Sequence, residues 1–208
     1  SSDLNIKPSA VVEGDTVVLN GSKTAVLNGS NAEILLVAAR ESGAATDSEG
    51  ISVFLVEAAS AGVSIQSFAN VDGKKSAEIS LKDVSVPVSQ RLGTSGSALQ
   101  ALQDGVDRAT LAVSAEAVGA MESLLHKTVE YSKTRKQFGT AIGTFQALQH
   151  RMADMFIECQ LARSIVIMAA MKLDGGESAL EKTKSVSAAK SRIGRAIQKV
   201  GQEAIQIH

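Results

Sequence analysis

The apolar residues of this chain change their spacing near residue 90, and no single kind of element accommodates both patterns. Before that point they come in short runs: Ser9 to Val12, Thr16 to Leu19, Ile34 to Ala39, Ile51 to Glu57, Val63 to Phe68 and Ser76 to Leu81. Glu13-Gly14-Asp15 reads as a hairpin turn, and Asn20-Gly21 and Asn28-Gly29 read as further turns. The polar stretch 41–50 reads as a surface loop, and Val84 to Val86, closed by Pro87, as a last extended piece. Short strands at this spacing predict an antiparallel sandwich or barrel-like domain.

Beyond residue 90 the period is helical. Leu99, Leu102, Val106, Ala109, Val113, Ala117, Ala120 and Leu124 form one stripe. Leu148, Met152, Met155, Cys159, Ala162, Val166, Ala169 and Leu173 form a second, and Ile193, Ile197, Val200, Ala204 and Ile207 a third. Asp174-Gly175-Gly176 ends the second helix, and Ser178, three residues before Glu181, makes a capping box for the third. Long helices with short connections predict antiparallel neighbours in a bundle. The expected fold class is α+β, with a β domain over 1–90 and a helical domain over 91–208. The third stripe reaches His208 without a stop signal, and Ser1-Ser2-Asp3 is a poor opening for a β domain, so both ends are expected to be truncated.

Composition removes several functions. Twenty-one basic against 22 acidic residues leave a net charge of −1, which offers no field for nucleic acid or an anionic membrane. No run approaches the roughly 20 apolar residues that span a bilayer. One cysteine and three histidines give neither a disulfide framework nor a zinc cage, so no metal is expected. A soluble cytoplasmic protein is the expectation. No P-loop, dinucleotide-binding glycine pattern or nucleophile elbow occurs. Cys159, Met152 and Met155 fall on a core stripe and read as packing residues, and His126 and His150 as ordinary helix histidines.

One segment resists that bland reading. Tyr131-Ser-Lys-Thr-Arg-Lys-Gln-Phe-Gly139, followed by Ile142-Gly-Thr-Phe-Gln-Ala-Leu-Gln-His150, joins the first and second helices. Arg135 is a planar fork suited to phosphate, and Phe138 and Phe145 offer flat apolar faces. Together they suit a ligand carrying a nucleotide and a pyrophosphate. The competing reading is a solvated turn with a hydrophobic staple.

At this segment the chain resembles the acyl-CoA dehydrogenase family. The resemblance is carried by Arg135-Lys-Gln-Phe-Gly139, Ile142, Phe145-Gln146, Gln149-His150 and Ala153-Asp154-Met155. It extends to Asn20-Gly-Ser-Lys23, Asn28-Gly29, Val84-Ser-Val-Pro87, Asp107-Arg108, Gly119 and Gln202 to His208. Gly-Ile-Ser-Val-Phe-Leu-Val (50–56) and Asp107-Arg-Ala109 look most like small subunits of the pimeloyl-CoA dehydrogenase type, found among enzymes of dicarboxylic or steroid side-chain thioesters. The resemblance implies the middle β-domain over 1–90, without its first strands, and three of the four C-terminal helices over 91–208. It implies removal of hydrogen from Cα and Cβ of an acyl-CoA: a carboxylate takes the α-proton and FAD takes the hydride.

By the same resemblance Arg135 reaches the FAD pyrophosphate of a neighbouring subunit, and Gln137 and Phe138 touch that cofactor. Ile142, Phe145 and Leu148 line its adenosine half, Gln206 contacts it from the third helix, and Ser2 lies near the flavin. Arg108 lies near the CoA pantetheine. Ala25 and Leu27 stand where the family places an aromatic and a threonine against the flavin ring, and neither can stack or donate there. The usual catalytic glutamate falls beyond the third helix. Asp107 matches an alternative position for that base, and otherwise reads as a salt-bridging or surface carboxylate. The expected assembly is a homo- or hetero-oligomer, dimer or tetramer. Alongside an active subunit stands a non-catalytic partner that lends the adenosine and pyrophosphate side of an FAD site.

Overall fold

A computed structural model describes residues 6–208. The chain divides into two compact units, the first ending at Leu102 and the second spanning Gln103–His208. The β unit holds β1 (Ser9–Glu13), β2 (Thr16–Leu27), β3 (Ile34–Arg40), β4 (Ile51–Glu57), β5 (Val63–Ala69), β6 (Lys75–Pro87) and β7 (Arg91–Leu92). These form one sheet in the order β5-β6-β2-β1-β3-β4-β7. The sheet is mixed rather than purely antiparallel, because β1 runs parallel to β3 where Ser9 faces Arg40. β2 and β6 lie on one side of that junction, β3 and β4 on the other. Yet Val17, Leu19, Ala77, Ile79, Val84 and Val86 share one buried cluster with Leu35, Val37, Phe54 and Val56. The sheet therefore curls, and its two arms enclose a common interior as in a sandwich or barrel.

An expected turn and an expected strand break meet in a single β-bulge instead. Asn20-Gly21 does not end a strand; β2 continues to Leu27, and 76–81 and 84–86 merge into β6. Between Leu19↔Val84 and Gly21↔Leu81, β6 carries one residue more than β2. Asp83 takes up that residue at φ 51°, and its carboxylate and N–H both bond the Asn20 amide, at 3.0 and 2.8 Å. Gly21 is needed because a Cβ there would lie 2.7 Å from Pro8 Cα. A second bulge falls on β2 between Lys23 and Val26, and it sets Ala25 at φ 52°. Lys23 points inward and donates to the Ala38 carbonyl at 2.7 Å, tying β2 to β3; burial lowers its ammonium pKa.

The polar loop 41–50 is ordered by Arg40, whose guanidinium donates to the carbonyls of Ser42, Ala45, Asp47 and Glu49. Next to it, Arg91 makes a two-pronged bond to Glu41 at 2.8 and 2.9 Å, and Ser95 donates to the same carboxylate at 2.7 Å. Ile51, Val53 and Ala98 form a small separate cluster with Leu99 and Leu102. The first turn of the first helix thus belongs to the β unit, which puts the boundary after Leu102.

The second unit is built from α1 (Leu99–Thr134), α2 (Gln146–Asp174) and α3 (Ala179–Ile207). Ser178 caps α3 through the Glu181 N–H, as expected. The buried stripes of α2 and α3 match their periodicity: Met155, Cys159, Ala162 and Ala169 pack against Ala189, Ile193, Ala196, Val200, Ala204 and Ile207, and Leu173 is buried further along α2. Burial raises the Cys159 thiol pKa, in keeping with a packing role. The stripe expected for α1 is rotated. Val106 and Val113 are exposed, and Asp107, Ser114, Val118, Met121, Thr128 and Ser132 are buried. Arg163 joins α2 to Glu122 of α1, and Arg192 and Lys199 of α3 join Glu158 of α2.

Burial alone would raise the Glu41 carboxyl pKa, but bonds from Ser52 and Ser95 and the charge of Arg91 outweigh it and hold the group below its usual 4.5. A carboxylate depressed on folding adds stability above its unfolded pKa and loses it as pH falls through the folded value. Glu41→Gln is therefore expected to destabilise the chain by about 1–3 kcal/mol at neutral pH. In urea titrations the gap to wild type should narrow progressively below the ordinary carboxylate pKa.

Candidate functional site

The singled-out segment folds as a small hairpin thrown out between α1 and α2. α1 ends with the Arg135 N–H bonded to the Tyr131 carbonyl at 2.9 Å. β8 (Lys136–Gln137) then pairs with β9 (Thr140–Ala141), leaving Phe138 and Gly139 as the turn. Both turn residues have positive φ, 52° and 83°, the type I′ geometry that closes a two-residue hairpin. Glycine adopts it freely, whereas a phenylalanine there is strained by about 1–2 kcal/mol. The Ile142 N–H returns to the Arg135 carbonyl at 2.9 Å, and its side chain is 8% exposed in the helical core. Gly143 packs against Ser132, and Gln149 donates to the Gly143 carbonyl at 2.9 Å.

What the hairpin presents outward is chemically distinctive. Phe138 is 93% exposed and sits edge-on to Phe145, ring centroids 6.3 Å apart. The Arg135 guanidinium and the Gln137 amide have no hydrogen-bond or ion-pair partner among the described residues. α2 starts at Gln146 with no acidic residue in its first turn; the Leu148 and Gln149 N–H groups bond the Phe145 carbonyl, and no side chain caps the helix start. No aspartate or glutamate occurs between Arg135 and Asp154. An open guanidinium and an uncapped helix start, on a stretch of chain without acids, make the hairpin favourable for an anion.

The other expected site residues divide sharply. Gln206 is exposed at the end of α3, where Tyr131 of α1 bonds the His208 carbonyl, so it shares the hairpin's end of the bundle. Ile142 is buried and Leu148 half-buried against the helical core, so they support the hairpin from beneath. Ser2 lies outside the described residues. Asp107 and Arg108 stand near the opposite end of α1, about 40 Å from Arg135 at 1.5 Å rise per residue. Arg108 is exposed and lies 3.8 Å from Asp174. Asp107 is 5% exposed, and its two oxygens accept from Thr183 at 2.6 Å and from Gln103 at 3.0 Å. In the β unit, Ala25 is exposed in the bulge and Leu27 is 74% exposed. Among the described residues no cluster of His, Cys, Asp or Glu is disposed to hold a metal, and no helix is long and apolar enough to cross a membrane.

Sequence reasoning missed Gln103 and Thr183 as the partners of Asp107. Gln103 lies one turn before Asp107, a visible spacing; Thr183 lies 76 residues away and left no signal. The uncapped start of α2 was also overlooked, although Phe145 in the cap position announces it.

Residues 98–208 match the model of the acyl-CoA dehydrogenase C-terminal domain, and residues 1–84 that of the middle domain. The chain is 34% identical over 202 residues to the probable acyl-CoA dehydrogenase YngJ of Bacillus subtilis, covering 96% of this chain and 52% of that protein. The butyryl-CoA dehydrogenase structure from Megasphaera elsdenii superposes with a TM-score of 0.88 at 30% identity, over 97% of this chain and 53% of that one. A structure described as the FAD complex of PigA superposes with a TM-score of 0.90 at 28% identity, over 98% and 53%. The chain belongs to the acyl-CoA dehydrogenase family. It spans about half the length of the relatives it matches.

Removing Asp107 leaves the Thr183 hydroxyl and Gln103 amide without their acceptor. Asp107→Ala should lower unfolding free energy by about 2–3 kcal/mol, and Asp107→Asn, which keeps one acceptor oxygen, by about half as much. Chemical denaturation of the two variants measures both.

Proposed function

We propose that this chain is part of an FAD-dependent acyl-CoA dehydrogenase, acting on the Cα–Cβ bond of an acyl-CoA thioester. The observation that carries the reading is the open Arg135 guanidinium beside the exposed Phe138–Phe145 pair, at a helix start free of acids. That donor set fits a dinucleotide: a two-pronged cation for a pyrophosphate, amides from Gln137 and Gln206, and ring edges for an adenosine. FAD, when bound, supplies the acceptor for the hydride leaving Cβ. Arg135 holds the diphosphate, Phe138 and Phe145 shield the adenosine from water, and Ile142 and Leu148 keep the hairpin seated. Arg108, at the far end of α1, is assigned to the CoA moiety.

Asp107 is read here as a tie between α1 and α3 rather than the proton acceptor. Both its oxygens are engaged within the bundle, and a base must have one free to face Cα. The roughly 40 Å between Arg108 and Arg135 exceeds the reach of one reacting pair, which supports ligand sites completed by a second chain. Val106, Val113, Ile157, Leu161, Met168 and Met171 leave apolar surface on α1 and α2 that a subunit contact would cover. An oligomer is expected in sedimentation; a stable single chain would overturn it.

A second reading rests on Ala25 and Leu27. A methyl group and an exposed leucine supply neither a stacking ring nor a donor to a flavin, so the fit that holds at the hairpin fails at these positions. On this reading the chain is the non-catalytic member of a hetero-oligomer and lends Arg135, Gln137 and Phe138 to a partner's FAD. The flavin absorbance near 450 nm of the full-length protein, purified alone, separates the two. A stoichiometric flavin, reduced by an acyl-CoA, eliminates the non-catalytic reading.

Arg135→Ala in the assembled enzyme should weaken FAD retention about 10- to 100-fold, the worth of a charged bond to phosphate. Arg135→Lys should recover part of it, since the fork geometry is lost. Unchanged FAD affinity in Arg135→Ala would remove the main support for the proposed site.

A further inference from the structure

We infer that Gln149 is a positioning residue for the proposed dinucleotide site: it clasps the turn on which Phe145 stands and holds that ring in register with the end of α1, where Arg135 emerges. The inference rests on the function proposed above, and it concerns how the two halves of that site keep their spacing.

Phe145 occupies the cap position of α2, extended at φ −78° and ψ 121°, and its side chain has no oxygen to accept from the helix start. The turn before it must be held by other groups. It is a single 3₁₀ turn, Ile142–Thr144, and the carbonyls around it are taken one by one. The Thr144 hydroxyl donates to the Ala141 carbonyl at 2.7 Å, and the Phe145 N–H to the Ile142 carbonyl at 3.1 Å. The Gly143 carbonyl accepts the Gln149 side-chain amide at 2.9 Å. The main-chain N–H of Gln149 donates to the Phe145 carbonyl at 3.1 Å. One residue thus grips the backbone on both sides of Thr144.

The place of Gln149 suits this task. It is the fourth residue of α2, and helix side chains lean toward the N-terminus, so a long one here reaches back over the entry turn. Its partner is a carbonyl, so the amide presents its NH2, which an ionised glutamate could not replace. Gly143 in turn rests on α1: a Cβ there would lie 2.9 Å from the Ser132 hydroxyl oxygen and 3.0 Å from the Ser132 carbonyl oxygen. Ser132 is buried, three residues before Arg135. The contacts of Gln149 with Gly143, and of Gly143 with Ser132, brace the start of α2 against the end of α1. The Phe145 ring and the Arg135 guanidinium come from the two sides of that brace. Two groups on separate elements grip one ligand well only if their spacing is set beforehand, and a loosened pair loses affinity to its own re-ordering.

The test uses the full-length assembled enzyme, stripped of flavin and titrated with FAD. Gln149→Met keeps the length of the side chain and removes the amide, and should weaken FAD about 5-fold, one net hydrogen bond. Phe145→Ala should weaken it as well, and the double variant should bind FAD no more weakly than Phe145→Ala alone, because the clasp acts through that ring. A trifluoromethyl group on the ring of residue 145 gives a second reading by fluorine NMR of the flavin-free enzyme, where its resonance should shift or split in Gln149→Met. Unchanged FAD affinity in either single variant overturns the inference. So do additive losses in the double variant, or a fluorine resonance that does not respond, which marks a glutamine that leaves the ring where it was. An Arg135→Ala variant titrated in parallel keeps the two failures apart: normal FAD binding there refutes the site itself, whereas the fluorine resonance reads the clasp without any ligand.

Discussion

The burial of Ile142 is the constraint on which the hairpin end of the helical unit depends. Its side chain belongs to the same cluster as Met121, Met155 and Ile193, and its N–H is committed to the Arg135 carbonyl. With both ends of the excursion pinned, the residues between 136 and 141 have only a tight two-residue turn in which to reverse. That forces Phe138 into a left-handed backbone and out of the core. Strain of this kind persists where the surroundings over-determine it. Here the surroundings are an apolar anchor, a strand pair and a close approach of Gly143 to Ser132.

The β unit solves a different problem, which is to bend one sheet until its two arms share an interior. A flat seven-stranded sheet would leave Leu35, Val37, Phe54 and Val56 away from Leu19, Val84 and Val86. Bulges add local twist, and there are two between β2 and β6. One is held by the reciprocal amide–carboxylate bonds of Asn20 and Asp83, and the other carries Ala25. The second bulge thus sets Ala25 at a point of backbone irregularity. There the side chain is freed from the ladder's alternation.

The α1 helix shows where pattern reading fails and why. Its apolar residues mark Val106, Ala109 and Val113 as one face, and that face is real, but it is not the one packed in this chain. The packed face carries Asp107, Ser114, Thr128 and Ser132 beside Val118 and Met121. A hydrophobicity count cannot find it, because four of these six residues are polar: Asp107 is satisfied by Thr183, far away in sequence, and Ser114 and Ser132 by carbonyls of their own helix. On α2 and α3 the packed face is apolar apart from Ser185, and there the periodicity and the packing agree.

Several features follow from sequence alone. These are the two-part architecture, nearly every strand, all three helices, the cap at Ser178 and the chemistry gathered at Arg135, Gln137, Phe138 and Phe145. Each is legible because periodicity, turn residues and caps act over a few neighbours. The curl of the sheet, the bulges at Asp83 and Ala25, and the inward turn of Asp107 were decided only by tertiary structure. So was the meeting of Tyr131 with His208. Each of these joins groups remote in the chain, and such pairings are selected by the packing of the whole unit, which no local spacing encodes.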